Sequence, residues 1–269
     1  MTSKLIPSNP EKVMVIRDVV PNVITTLSVP FLRFGRLKVG GRGTIVRLQS
    51  GALAVFSPVA LTDDVKAKVA SLGEVKYITA LDIEHHIFLG AWSQAYPNAQ
   101  VLGPEGLPEK RTAQKNEDVP FSYVFSPSKP VTSVTPEFDA EFDYEYVSAH
   151  QNKEIVFHHK PTHTLIQADL IFNYPPTEQF SKTGVVATSG ILTKIFGSLT
   201  NTYGNGQKRL VWYGSGSSDR SSFAKSVARI NGWEFERIIP CHGDVIETGG
   251  KGVFQKIMEW HLQLAGKEK

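Results

Sequence analysis

The sequence predicts an α/β protein, an αββα sandwich in which two β-sheets pack face to face between outer helices. β-rich stretches alternate with strand–helix–strand units in each half of the 269-residue chain, and sandwiched sheets with helices outside accommodate that order. Four apolar strands, in addition, end in ionisable residues. The order of the elements alone does not choose between this sandwich and a doubly wound sheet.

The elements of the first half follow from short apolar patterns. Residues 43–58 predict a β-hairpin with its turn at Ser50-Gly51. Residues 62–73 carry apolar residues at helical spacing behind a capping Thr62 or Asp63, which predicts a helix. The other elements predicted here are strands at 13–20, 24–29, 74–80 and 99–104 and a helix at 84–97.

The second half begins with a segment, residues 105–135, that is rich in proline and charge and is predicted to be mostly loop. Residues 219–232 start with a capping Asp219 and predict a helix. Residues 189–201 are apolar, and they predict either a buried helix or a lid or partner surface. The remaining elements are strands at 142–147, 154–159, 164–167 and 235–241 and a helix at 251–265.

Composition limits the class of protein. The chain has 41% hydrophobic residues, enough for a large core, and a formal net charge of only +3, so we expect no nucleic-acid partner. We see no secretory signal and no run of apolar residues long enough to span a bilayer, so we expect no membrane partner. Cys241 is the only cysteine, which fits a cytoplasmic location. Without repeats or linkers, residues 1–269 are expected to form a single domain.

The four polar strand ends are the informative feature. They are "KYITALDIEHH" (76–86), "YEYVSAH" (144–150), "HTLIQADLIFN" (163–173) and "RIIPCHGD" (237–244). Loops at strand ends are where sites are usually built, and imidazole with carboxylate suits zinc, iron or manganese. Each residue alone is more often structural, as we expect for His158 and His159. The metal-ligand types at these ends are Asp82, Glu84, His85, His86, His150, Asp169, His242 and Asp244.

Taken in order, the four stretches resemble the metallo-β-lactamase fold. That family places the motif H-x-H-x-D-H after a strand, and "ALDIEH" stands there in this chain. His85 keeps the last histidine, Glu84 replaces the aspartate, Asp82 replaces the second histidine and Ala80 replaces the first. The later motifs match His150, Asp169 in "TLIQADLIF" and His242 in "PCHGD". These departures look most like an uncharacterised branch of the fold found in fungi and plants.

The resemblance implies one divalent metal held by Glu84, His85, Asp169 and His242. The second metal position of the family would keep only Asp82, His150 and a share of Asp169, a poor set for zinc. Zinc is the preferred metal, with iron or manganese as alternatives. Glu84 and Asp82 are the candidate catalytic residues, and Glu84 would bind metal or act as a general base through water.

The implied activity is hydrolysis of a small ester, lactone or thioester through a water bound to the metal. Iron-dependent or Lewis-acid chemistry on a small molecule is an alternative, because two histidines and a carboxylate also suit iron. A different class of protein stays open too, a non-catalytic binding protein with a decayed site, which the loss of the first histidine favours. The sequence does not predict the oligomeric state.

Overall fold

The computed structural model describes residues 9–268, which form strands in three sheets with helices around them. The strands are β1 (Val15–Val20), β2 (Ile24–Val29), β3 (Leu32–Arg33), β4 (Leu37–Lys38), β5 (Gly41–Arg47), β6 (Ala52–Phe56), β7 (Glu74–Thr79), β8 (Gln100–Pro104), β9 (Phe121–Phe125), β10 (Phe142–Val147), β11 (Glu154–His159), β12 (Thr164–Gln167) and β13 (Arg237–Pro240). The helices are α1 (Pro10–Val13), α2 (Asp63–Leu72), α3 (Leu89–Ala95), α4 (Leu107–Ala113), α5 (Pro136–Glu141), α6 (Thr177–Phe180), α7 (Ile191–Thr200), α8 (Gly206–Leu210), α9 (Arg220–Asn231) and α10 (Gly250–Lys267).

Two mixed sheets make up most of the β-structure. The larger has the strand order β1-β2-β5-β6-β7-β8-β9, antiparallel as far as β6 and parallel beyond it. The smaller has the order β10-β11-β12-β13, and only its last pair is parallel. Strands β3 and β4 form a separate short hairpin. A doubly wound parallel sheet is thereby excluded for the described residues.

The main core lies between the two sheets. Successive residues of a strand face opposite sides, so Val46 and Phe56 of the large sheet meet Phe157 and Ile239 of the small sheet in one apolar cluster. The outer face of the large sheet packs against Trp92 of α3 and its neighbours in α2 and α4. The outer face of the small sheet packs against residues of α9 and α10. These layers confirm the predicted αββα sandwich.

Several local predictions are confirmed. Strands β5 and β6 pair antiparallel as the arms of the predicted hairpin. Thr62 caps α2, since its hydroxyl accepts a hydrogen bond from the Val65 N–H, and Asp219 caps α9 in the same way. The strands predicted at 142–147, 154–159 and 164–167 have the bounds of β10, β11 and β12. His158 and His159 are buried and make structural contacts, as predicted.

The structure corrects two predictions about elements. The helix predicted to start at residue 84 starts at Leu89, because Asp82 Oδ1 accepts hydrogen bonds from the Glu84 and His85 N–H groups and holds them in a loop. Residues 105–135 are rich in loop, as predicted, and the segment also contains α4 and β9. Residues 189–201 form a helix, α7, whose apolar outer face is exposed, so the buried alternative is wrong and the lid or partner surface stays open.

No helix among residues 9–268 is both long enough and apolar enough to cross a membrane.

Candidate metal centre

Three of the predicted side chains meet at one rim of the sandwich. His85 follows β7 of the large sheet, whereas Asp169 and His242 follow β12 and β13 of the small sheet. The last two strands run parallel, so their carboxyl ends lie side by side. One donor atom from each residue lies within 4.8 Å of the other two.

The distances among these donor atoms suit one metal ion. His85 Nε2 lies 3.1 Å from His242 Nε2, and His242 Nε2 lies 3.3 Å from Asp169 Oδ1. A tetrahedral zinc site with bonds of about 2.0–2.1 Å separates its ligand atoms by roughly 3.3–3.4 Å. Both separations are therefore close to those that a shared zinc ion requires.

The two imidazoles are oriented by neighbours on their far side. His85 Nδ1 lies 2.9 Å from both carboxylate oxygens of the buried Asp82. His242 Nδ1 lies 2.7 Å from the Gly40 carbonyl oxygen. An acceptor at each Nδ1 places the proton there and leaves a lone pair on Nε2. Two lone pairs facing each other repel, so the pair requires a proton or a metal cation between them.

Electrostatics favour positive charge at this point. Burial lowers the pKa of His85, but the carboxylates of Asp82 and Asp169 outweigh it and raise the pKa to about 10. Burial lowers the pKa of His242 to about 4, against the opposing effect of Asp169. Burial raises the pKa of Asp82, but His85 and two backbone N–H groups hold it at about 2. The site thus presents a buried carboxylate charge to a cation.

Hydrogen bonds hold Asp169 in place but leave one of its carboxylate oxygens without a partner. Asn152 Nδ2 donates to Asp169 Oδ2 at 2.6 Å, and the Asp169 backbone N–H donates to Glu154 Oε2 at 2.9 Å. Burial raises the pKa of Glu154 well above its usual range, and its two carboxyl oxygens accept the backbone N–H groups of Ala168 and Asp169. Asp169 Oδ1 is buried and has no hydrogen-bond partner within residues 9–268. An orphaned carboxylate oxygen aimed at His242 is suited to a metal ion.

Hydrogen bonds from two buried side chains hold the loop that carries His242. The buried Arg42 donates through Nη1 to the carbonyl oxygens of Pro240 at 2.8 Å and Gly243 at 2.5 Å. Gln179 Oε1 accepts a hydrogen bond from the Gly243 N–H, and Gln179 Nε2 donates one to the Cys241 carbonyl oxygen. Phe172 stacks parallel on the His242 ring, with 5.5 Å between ring centroids. Cys241 itself is buried, in agreement with its prediction as a core thiol.

The structure does not bring Glu84 into this group. The Glu84 carboxylate lies 2.6 Å from Lys110 Nζ and 3.2 Å from Arg33 Nη1. Burial raises the pKa of Glu84, but the two cations outweigh it and lower the pKa overall. The predicted second carboxylate ligand is therefore engaged in ion pairs in this conformation. The reason is local: the turn built on Asp82 directs the Glu84 side chain toward α4.

His150 lies in the buried region beneath the three donors but is also outside the group. Its Nδ1 accepts the Asn152 N–H at 3.3 Å, which places the proton on Nε2. His150 Nε2 is buried and has no hydrogen-bond partner in the part of the chain that the structure describes. Its role as a ligand stays a prediction. Asp82, predicted as a catalytic residue, contacts His85 rather than the space between the three donors.

Sequence reasoning missed the residues that support the donors. Glu154, Asn152, Arg42 and Gln179 were not predicted as parts of a site. A signal existed for two of them, because Glu154 opens the otherwise apolar run "EIVF" and Arg42 stands between glycines at the start of "GRGTIV". A charged residue in a buried strand must find partners, but the sequence does not say which partners.

Solved metallo-β-lactamases share this fold. The chain is 14% identical to DIM-1 metallo-β-lactamase, with a TM-score of 0.57 over 95% of this chain and 98% of that chain. It is 10% identical to a metallo-β-lactamase from Pontibacter korlensis, with a TM-score of 0.56 over 92% and 98% of the two chains. A flavo di-iron protein mutant from Thermotoga maritima is 11% identical, with a TM-score of 0.61 over 92% of this chain and 62% of that chain.

At these identities the likeness shows the fold, and the chain has the metallo-β-lactamase fold. No curated protein matches the sequence. A family model described as "Domain of unknown function (DUF4336)" matches residues 33–183, a range that contains His85, His150 and Asp169 but ends before His242. Because that range is more than half of the chain, the protein belongs to the DUF4336 family.

Proposed function

We propose that this protein binds one divalent metal ion, zinc in the first place, and hydrolyses a small ester, lactone or thioester. The observation that carries the proposal is the convergence of donor atoms from His85, Asp169 and His242 within 4.8 Å. A divalent cation at such a site lowers the pKa of a water molecule toward neutrality, which supplies a nucleophile for acyl transfer to water.

The chain's own residues have separate roles in this proposal. Asp82 orients His85, and Arg42 and Gln179 hold the loop of His242, so the donors are preorganised. Phe172 covers one face of His242 and keeps bulk water from it. Glu84 is ionised and paired with Lys110, which makes it a weak base. We therefore propose Glu84 as a positioning residue for Lys110 and not as the proton acceptor that the sequence predicted.

The same geometry supports one metal and not two. Asp82 Oδ1 and Oδ2 both contact His85 Nδ1, so this carboxylate is not free for a second ion. Ala80 has no donor atom. Iron is the specific alternative to zinc, because two histidines and one carboxylate with open positions suit oxygen chemistry. Non-catalytic binding by a decayed site is the other alternative, and metal analysis separates all three.

The test is elemental analysis of the full chain, followed by titration of the metal-depleted protein with zinc. We expect one zinc ion per chain, and turnover of at least one substrate from a panel of aryl esters, lactones and thioesters. The substitution His242→Ala should lower zinc affinity by at least about 100-fold, since it removes one of three ligands. The neighbouring Cys241→Ala is the matched control and should change neither binding nor turnover.

Each result has a distinct meaning. One zinc ion with turnover supports the proposal. One iron ion without hydrolysis supports the oxygen-chemistry alternative. Failure to bind zinc, iron or manganese would contradict the metal site and favour the decayed site, whereas two tightly held metals would contradict the single-ion arrangement.

A further inference from the structure

The outer face of α7 is an exposed apolar surface. Ile191 has 78% of its surface exposed, and the other aliphatic side chains of this face and of the preceding turn are also exposed. We call this set the α7 surface. Contiguous exposed apolar patches of this kind mark contacts with a membrane or another protein. The α7 surface consists of Val185, Val186, Ile191, Leu192, Ile195 and Leu199.

The opposite face of α7 fixes the helix to the molecule. Gly197 lies against the Tyr174 ring so closely that a Cβ atom there would stand 2.7 Å from it. Phe196 packs edge-to-face on Phe172 and Tyr174, at centroid distances of 5.6 and 5.7 Å. The Lys38 N–H donates to Thr193 Oγ1. The α7 surface is thus held outward by a packed inner face.

The charged residues of α7 and of the segments next to it in sequence are predominantly basic. Residues 179–218 contain no aspartate or glutamate but include Lys182, Lys194, Lys208 and Arg209. The hairpin of β3 and β4, which contacts α7 through Lys38, carries Arg33 and Arg36 and lies in the acid-free range 19–62. Arg33 and Lys208 pair with Glu84 and Glu259. Lys194 and Arg36 form no ion pair with any described residue.

We infer that the α7 surface binds the face of an anionic lipid bilayer. An amphipathic helix with aliphatic residues on one side and lysine at its border lies in the membrane interface, and each basic residue near an anionic surface adds to binding. A second copy of this chain fits less well, because Lys194 and Arg36 would then face like charges. This inference does not depend on the proposed hydrolysis, and it replaces the composition-based expectation of no membrane partner.

The experiment is sedimentation of the full chain with vesicles of phosphatidylcholine alone or mixed with phosphatidylserine. We expect binding to the anionic vesicles that weakens in high salt. The double substitution Ile191→Ser with Ile195→Ser should lower partitioning by about tenfold or more, since each lost side chain removes several buried carbons. Lys194→Ala should lower it by roughly fivefold.

Two matched controls test whether position matters. Val124→Ser alters an exposed aliphatic residue of the edge strand β9, and Lys225→Ala alters an exposed lysine of α9; both should bind vesicles like the wild type. Circular dichroism confirms that each variant is folded. Failure of the wild type to bind anionic vesicles, or equal loss in the controls, overturns the inference. A concentration-dependent dimer that the double substitution abolishes, without vesicle binding, also overturns it and makes a second copy the occupant.

Discussion

At the scale of single residues, the arrangement of His85 and His242 requires a proton or a metal cation between the two rings. Their Nε2 atoms are 3.1 Å apart, and each ring has an acceptor at Nδ1 that fixes which nitrogen carries the proton. Asp82 supplies that acceptor for His85 from a fully buried position. The carboxylate therefore tunes the donor strength of His85 without contacting the space where a metal would lie.

We predict that Asp82→Asn lowers zinc affinity by roughly 10–100-fold, because an amide orients the ring but lacks the charge that strengthens the imidazole as a donor. Competition with a chromophoric chelator measures this. Asp143→Asn is the matched control, since Asp143 Oδ2 lies 3.0 Å from His158 Nδ1 in a similar pair away from the three donors. Equal affinity in wild type and Asp82→Asn would contradict the role of Asp82.

How far the sequence predicted these residues depends on the kind of contact. His85, Asp169 and His242 were identified because each follows an apolar strand and matches a family motif. The buried acceptor Glu154 and the buried donor Arg42 act through contacts with residues 14 and about 200 positions away. Such contacts depend on how the sheets pack, and no local pattern encodes them. Glu84 does follow the predicted strand near His85. The sequence could not show that the turn built on Asp82 directs the Glu84 side chain toward Lys110 and away from the three donors.

At the scale of elements, local sequence signals were reliable where a side chain caps a helix or where apolar residues recur at helical spacing. Thr62 and Asp219 begin α2 and α9 as predicted. The same local reasoning left two alternatives for α7, because an apolar helical pattern shows that one face avoids water but not what covers it. The helix is present, and its apolar outer face has no partner within the described chain.

A buried histidine of α10 should make the stability of the fold depend on pH. His261 is buried against Trp212 and Phe223, at centroid distances of 4.8 and 4.6 Å, and neither ring nitrogen has a hydrogen-bond partner among residues 9–268. Burial, with a smaller effect from Arg220, lowers the pKa of His261 to about 4. The unfolded chain, with a pKa near 6.5, therefore takes up the proton first, and stability falls as the pH falls from about 6.5 toward 4.

We predict that His261→Phe reduces this loss by about 2 kcal/mol between pH 7 and pH 5. Urea unfolding at both pH values measures the difference. His163→Asn is the control, because it removes a histidine that is exposed instead of buried. An unchanged loss of stability in His261→Phe would show that the buried imidazole is not the group that titrates.

At the scale of the whole molecule, the sequence predicted the class of fold more firmly than its connections. The alternation of strands and helices is compatible with both a sandwich and a doubly wound sheet. What separates them is pairing between distant strands, such as β12 beside β13 in parallel, and pairing of this kind depends on the whole chain. The four polar strand ends and the family resemblance resolved the choice, since each implies a shared rim between two sheets.

That rim gives the last prediction, because its donors come from both sheets. His85 follows a strand of the large sheet, whereas Asp169 and His242 follow strands of the small one, so a shared ion links the two layers. An ion that binds only the folded state stabilises it by about 4 kcal/mol when its concentration is 1,000 times the Kd. We therefore expect excess zinc to raise the Tm of the metal-depleted protein by several degrees, as measured by calorimetry.

The same increase should disappear in His85→Ala and in Asp169→Ala, which remove donors that follow strands of opposite sheets, and it should persist in Cys241→Ala. Loss of the increase in only one of the first two variants would mean that the ion is held by a single sheet. An equal increase in all variants would place the zinc elsewhere on the molecule. A joint loss is the result that only an ion shared between the sheets explains, since the two residues lie 84 positions apart in sequence and meet only in the folded sandwich.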